Sequence, residues 1–175
     1  MQMFIRQEVH PTDVPNEFVK SAFAYLDAAE KLNGEMAAEK WPGDYRNAQV
    51  ILWLTFHATE LFLKGCIAKL DPTGAVLGHT LPVLTTRLES LTGKVELQLP
   101  FDVEGSDGTP EIEALIKNHL RTTHERLRYP TDQGGVPWSG LQGFSPQLFA
   151  GTLQNFKSEA GALKSRLWEC QDFCV

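Results

Sequence analysis

From Asn16 to about Lys40 the apolar residues Phe18, Ala22, Tyr25, Ala29, Leu32 and Met36 recur in alternating steps of four and three. That spacing lays side chains along one stripe of an α-helix. Trp41-Pro42-Gly43-Asp44 interrupts it, because proline disfavours helical backbone at the preceding residue and glycine frees the chain to turn. A second, longer helix is predicted from about Asp44 to Leu70, with its densest apolar run at Val50 to Phe56. Asp71-Pro72-Thr73-Gly74 ends it. Gly78-His79-Thr80-Leu81-Pro82 then opens a third helix that reaches about Leu91, with Thr80 as N-cap and Pro82 in the first turn.

Thr92 to Gly108 is rich in glycine and proline, with Val95, Leu97 and Leu99 alternating, and predicts a loop holding one short extended piece. Thr109-Pro110-Glu111 combines a capping hydroxyl, a first-turn proline and an acid at the positive end of the helix dipole. The fourth helix should run from there to about Arg128, with Ile112, Leu115, Ile116, Leu120 and Leu127 as its apolar face. After a loop from Tyr129 to Gly143, Ser145-Pro146 starts a last helix whose residues Phe149, Leu153, Phe156, Ala160, Leu163 and Leu167 form a narrow seven-residue repeat. Such a stripe suits helices packed at shallow crossing angles. The expected fold class is therefore all-α: an antiparallel up-and-down bundle of four long helices and one short one, a single domain over 1–175 with its core at about 16–170.

A length of 175 residues suffices for one hydrophobic core. The apolar fraction of 42% argues against a disordered or collagen-like chain. A net charge of −6 means that any contact with phosphate must come from a local basic patch. The three cysteines, Cys66, Cys170 and Cys174, make neither an even disulfide framework nor a paired zinc pattern, and Met1 to His10 lacks the apolar core of a signal peptide. A cytoplasmic setting is the expectation. Val50 to Phe56 is followed at once by His57, Glu60 and Lys64 and is too short for a membrane span, so no membrane contact is expected.

Two polar stripes are candidates for chemistry. On the second helix Arg46, Trp53, His57, Glu60 and Lys64 fall within a sector of about 60° on an otherwise apolar helix. They read either as an interhelical network, with Glu60 and Lys64 paired at i, i+4 and His57 hydrogen-bonded, or as a cleft. On the fourth helix Lys117, Arg121, His124 and Arg128 line up away from the apolar face, a possible phosphate contact or a solvated surface. Arg126 lies nearer the apolar side, where a buried carboxylate such as Glu60 would be its partner. His57, Glu60 and His79 do not complete a metal-ligand pattern, and no phosphate loop, dinucleotide fingerprint or nucleophile elbow occurs. No metal and no cofactor is expected.

His57-Ala58-Thr59-Glu60-Leu61-Phe62-Leu63-Lys64, Gly78-His79-Thr80-Leu81 and Arg126-Leu127-Arg128-Tyr129-Pro130 follow one another in this order. Together they resemble the HA-x-EL-x-LK, GH-x-L and RYP signatures of a prokaryotic branch of the HEPN (higher eukaryotes and prokaryotes nucleotide-binding) domains. The resemblance implies a helical, homodimeric module that binds nucleotide or RNA, and the candidate ligand-binding residues taken from these motifs and the helix-four stripe are His57, Glu60, Lys64, His79, Lys117, Arg126 and Tyr129. It also implies a protein partner encoded nearby, in a prokaryotic defence or toxin–antitoxin system. Many such domains are metal-independent ribonucleases with an Arg-x(4 to 6)-His motif. This chain departs from it: Arg121 is too close to His124, Arg128 follows His124, and Arg46 is too far from His57. The alternatives are a ribonuclease with a degenerate motif, in which His124 is the acid or base and Arg121 or Arg128 steadies the phosphate, and a purely structural interaction module. A dimer is expected in every case, with Trp138 and Phe144 supplying its apolar surface.

Overall fold

The computed structural model describes residues 14–74, 78–93, 97–101, 122–132, 134–138 and 143–169. The described chain is predominantly helical, with α1 at Val14–Ala37, α2 at Tyr45–Leu70, α3 at Leu81–Thr92, a helical segment α4 at residues 122–126 and α5 at Pro146–Glu169. Among the described residues there is no strand, only an isolated antiparallel bridge between Thr131 and Pro137. Ile112, Leu115, Ile116 and Leu120, like most of the expected fourth helix, lie outside the described residues; Leu127 is buried as its pattern requires.

Local chemistry sets the helix ends. Asp44 caps α2 by accepting the Asn47 N–H at 2.9 Å. At the other end the Asp71 N–H bonds back to the Ile67 carbonyl at 2.8 Å, while its Oδ1 accepts the Gly74 N–H. Thr80 occupies the N-cap of α3, but its hydroxyl makes no capping bond; Pro82 lies in the first turn, where a missing N–H costs little. α1 stops at Ala37, three residues before the expected end, and Glu39 takes a left-handed φ of 56°.

The buried stripe of α1 is Val19, Ala22, Leu26, Ala29, Asn33 and Met36. The sequence stripe shared only Ala22, Ala29 and Met36 with it; Phe18, Tyr25 and Leu32 are half-buried at its margin. The shift by one position has a cause: α1 lies against both α2 and α5, and the true seam faces the space between them. Asn33 sits in that seam because its Nδ2 donates to the Pro146 carbonyl at 2.8 Å. In α5 five residues of the predicted stripe, Leu153, Phe156, Ala160, Leu163 and Leu167, are buried, and Phe149 at its start is half-buried.

Side-chain contacts define the helix directions. Phe23 meets Phe62 edge-on while Tyr25 meets Trp53 and His57, so α1 and α2 are antiparallel. Asn33 bonds to Pro146, Lys157 pairs with Asp27 and Glu30, and Lys164 lies over Phe23, so α1 and α5 are antiparallel too. α3 follows α2 in the same sense, because His79 before it reaches Glu60 and Arg87 within it pairs with Asp71. The strict up-and-down alternation expected from the sequence is broken there. α2 is the centre of the core, with Ile51, Phe56, Phe62, Leu63, Cys66 and Ile67 buried. Over an 18-residue window α2 is apolar enough to cross a membrane, a property that the shorter run Val50 to Phe56 did not reveal, and 61% of that window is buried inside the fold.

Candidate functional site

The polar stripe of α2 faces the entry of α3 and the end of α4. Glu60, 2% exposed, accepts the Lys64 ammonium at 2.7 Å and the His79 Nδ1–H at 2.8 Å, both on Oε1. Among the described residues its Oε2 has no hydrogen-bond partner. Burial pushes this carboxyl up, but the hydrogen bonds from Lys64 and His79 outweigh it and hold the group below its ordinary value. An ionised Glu60 can only accept, so His79 donates a proton from Nδ1 in this contact. The His79 side chain is 60% exposed.

One turn earlier, His57 is stacked on Trp53 at 5.4 Å with an interplanar angle of 9°, and Tyr25 of α1 packs edge-on against it at 4.8 Å. Burial lowers its basicity, and the nearby cation of Arg128 acts in the same direction, against an opposing pull from Glu60. His57 is therefore neutral near pH 7. The expected hydrogen bond to it is absent among the described residues: Nδ1 of His57 and Nε1 of Trp53 have no partner. Ring stacking holds the imidazole in its place.

Gln49 fastens the end of α4 to α2, its Nε2 donating to the carbonyls of Arg126 and Leu127 at 3.0 and 3.2 Å. That attachment sets Arg128 over the Trp53 ring at 5.9 Å and His124 opposite His79, with 6.4 Å between ring centroids and 23° between planes. Beside them opens a groove of about 660 Å³ whose walls include Arg46, Val50, Trp53, Arg128, Tyr129 and Pro130. A smaller hollow of about 340 Å³ lies on the other side of His57, against Phe18, Ser21, Tyr25 and Leu61.

The structure thus brings His57, Glu60, Lys64, His79, His124, Arg128 and Tyr129 to one side of the bundle. Lys117 and Arg121 lie outside the described residues, as do Cys170 and Cys174. Arg126 does not pair with Glu60: its Nε donates to Thr122 at 2.9 Å and its guanidinium covers Trp138 at 4.5 Å, while Glu60 is held by Lys64 and His79 through Oε1. Trp138 and Phe144, expected to supply apolar surface for a dimer, are half-buried: Arg126 covers Trp138, and Phe144 packs on Phe149 and the core. Among the described residues no group of three or more His, Cys, Asp or Glu is placed to hold a metal ion. Tyr25 and Gln49 were not singled out as site residues; Gln49 has no sequence signal, because its partners are backbone carbonyls 77 and 78 residues away.

No family profile, curated protein or solved structure matches the chain.

Proposed function

We propose that this protein is a HEPN-like module that binds a nucleotide or single-stranded RNA in the groove beside Trp53. One observation carries the reading: an acidic chain of net charge −6 gathers Arg46 and Arg128 around two aromatic rings, Trp53 and the exposed Tyr129, in one groove. Cations that track phosphate, combined with aromatic faces on which bases stack, are how single-stranded nucleic acid is held without base-specific readout. A volume of about 660 Å³ accommodates a ligand of nucleotide size. The resemblance of the HATELFLK, GHTL and RLRYP segments to HEPN signatures supports the same ligand class, and these segments contribute His57, Glu60, Lys64, His79, Arg128 and Tyr129 to this side of the bundle.

A homodimer belongs to the proposal, as the HEPN resemblance implies. Sedimentation equilibrium returning only monomer would remove that part.

The test is fluorescence anisotropy with a labelled oligoribonucleotide and a labelled mononucleotide at several salt concentrations. Tyr129→Ala should weaken binding by about tenfold through lost stacking. Arg46→Ala and Arg128→Ala should each reduce the slope of log affinity against log salt by about one. Absence of binding to either probe by the unaltered protein would leave the groove without a ligand and refute the reading.

A further inference from the structure

We infer that anion binding in the groove is coupled to protonation of His57, so that the groove holds phosphate more tightly as pH falls. The inference rests on the groove reading above and adds a regulation to it. His57 does not line the groove. It is joined to it through Trp53, whose ring lies under the Arg128 guanidinium at 5.9 Å and is stacked on the imidazole at 5.4 Å with 9° between planes. Among the described residues the groove walls carry two arginines, Arg46 and Arg128, and no carboxylate. An incoming phosphate therefore acts directly on the charge of Arg128.

A second observation lies on α2 itself. Nδ1 of His57 and Oε2 of Glu60 are both buried and without a hydrogen-bond partner among the described residues. The two residues stand at i, i+3, a spacing that makes side chains neighbours on one helix face. An imidazolium carries a proton on both nitrogens, so protonation turns Nδ1 into a donor, and Glu60 Oε2 is an acceptor that lacks one. The free protein is held back from this state because burial disfavours the charge and the cation of Arg128 repels it.

Phosphate in the groove lifts the second restraint. Its negative charge offsets that of Arg128, the imidazole gains affinity for a proton, and by linkage the protonated protein gains affinity for phosphate. The charged and titratable groups facing His57 are Glu60 and Lys64 on its own helix, Tyr25 and Glu17 from α1, His79 before α3 and Arg128 after α4. Of these only Arg128 lines the groove, which makes it the residue that passes the ligand's charge to the imidazole. Proton uptake is confined to the interval between the lower midpoint of the free protein and the higher one of the complex, so affinity rises as pH falls through that interval and is flat above it.

The test uses the full chain and an oligouridylate without terminal phosphates, whose charge does not change between pH 5 and pH 8. Calorimetric titrations in buffers of different ionisation enthalpy read affinity and proton uptake together, and proton NMR follows the His57 ring with and without the probe. Wild type should bind about three- to tenfold more tightly at pH 5 than at pH 8, and the His57 midpoint should rise on saturation. His57→Phe keeps a ring on Trp53 but has no proton to gain, and should abolish the pH dependence; His57→Gln takes its place if that variant misfolds. His79→Asn and His124→Asn should each keep the dependence. Without the probe, Arg128→Gln should already show a higher His57 midpoint than wild type. Equal binding at both pH values, a His57 midpoint unmoved by saturation, or a pH dependence that survives in His57→Phe overturns the coupling and leaves the groove reading in place. No binding at any pH overturns both.

Discussion

Gly65 of α2 passes so close to α1 that a Cβ added to it would fall 2.7 Å from Val19 Cγ2, 2.9 Å from the Pro15 carbonyl oxygen and 3.1 Å from Phe18 Cβ. Two of these neighbours are a buried branched side chain and backbone, which cannot step aside cheaply. Gly65→Ala should therefore destabilise the fold by about 1–3 kcal/mol through overpacking, exceeding the gain in helix propensity of roughly 1 kcal/mol. Gly161→Ala in α5, where nothing lies within 4 Å, should instead stabilise by about 0.5–1 kcal/mol. Urea midpoints for the two variants should move in opposite directions; a shared direction would contradict the close approach.

Cys66 lies on the same helix and is fully buried, and burial pushes its thiol up to about 12. Only the thiolate reacts with alkylating agents. Peptide mapping after brief iodoacetamide treatment at pH 8 should find Cys66 unmodified in the native protein and modified in denaturant. Rapid native labelling of Cys66 would show that this part of the core opens far more readily than its packing implies.

The pairing of Lys64 with Glu60 predicts a penalty for removing one partner. Lys64→Met leaves a buried carboxylate held by His79 alone, and should cost about 3 kcal/mol at pH 7. The folded protein holds Glu60 below its ordinary 4.5, so the unfolded chain takes up its proton first as pH falls. The pair's contribution is thus present above pH 4.5 and is lost as pH drops through the folded value. Stability curves of wild type and Lys64→Met should converge at acid pH; a constant gap down to pH 3 would contradict this origin.

What was legible in the sequence followed its periodicity. The seven-residue repeat of α5 marked its buried face, and the i, i+4 spacing of Glu60 and Lys64 marked their pair. Periodicity fixes a stripe only to within about one residue step, so on α1 it pointed to Tyr25 and Leu32 where the packing selected Leu26 and Asn33. Asn33 is a polar residue that a pattern of apolar positions skips, and its carbonyl partner is 113 residues away. Arg126 was misassigned for a related reason. Its stacking partner Trp138 lies beyond a loop, and a helical wheel carries no information about which loop folds back. The candidate site was therefore legible as a set of residues, while the bonds that join His79 to Glu60 and set His124 opposite required three dimensions.

His57 supplies a prediction at milder pH. Its burial, assisted by the positive charge of Arg128 and opposed by Glu60, lowers its affinity for protons below the ordinary value of 6.5. Between that value and the lower folded one, the unfolded state binds more protons, so this residue's contribution is complete above pH 6.5 and declines as pH falls below it. In a proton NMR titration the His57 ring signal should move with a midpoint below 6.5. His57→Leu should flatten the fall in melting temperature between pH 7 and pH 5, because a leucine has no proton to gain. A His57 midpoint at or above 6.5 would mean that Glu60 dominates the imidazole's surroundings and that the stack with Trp53 does not exclude water.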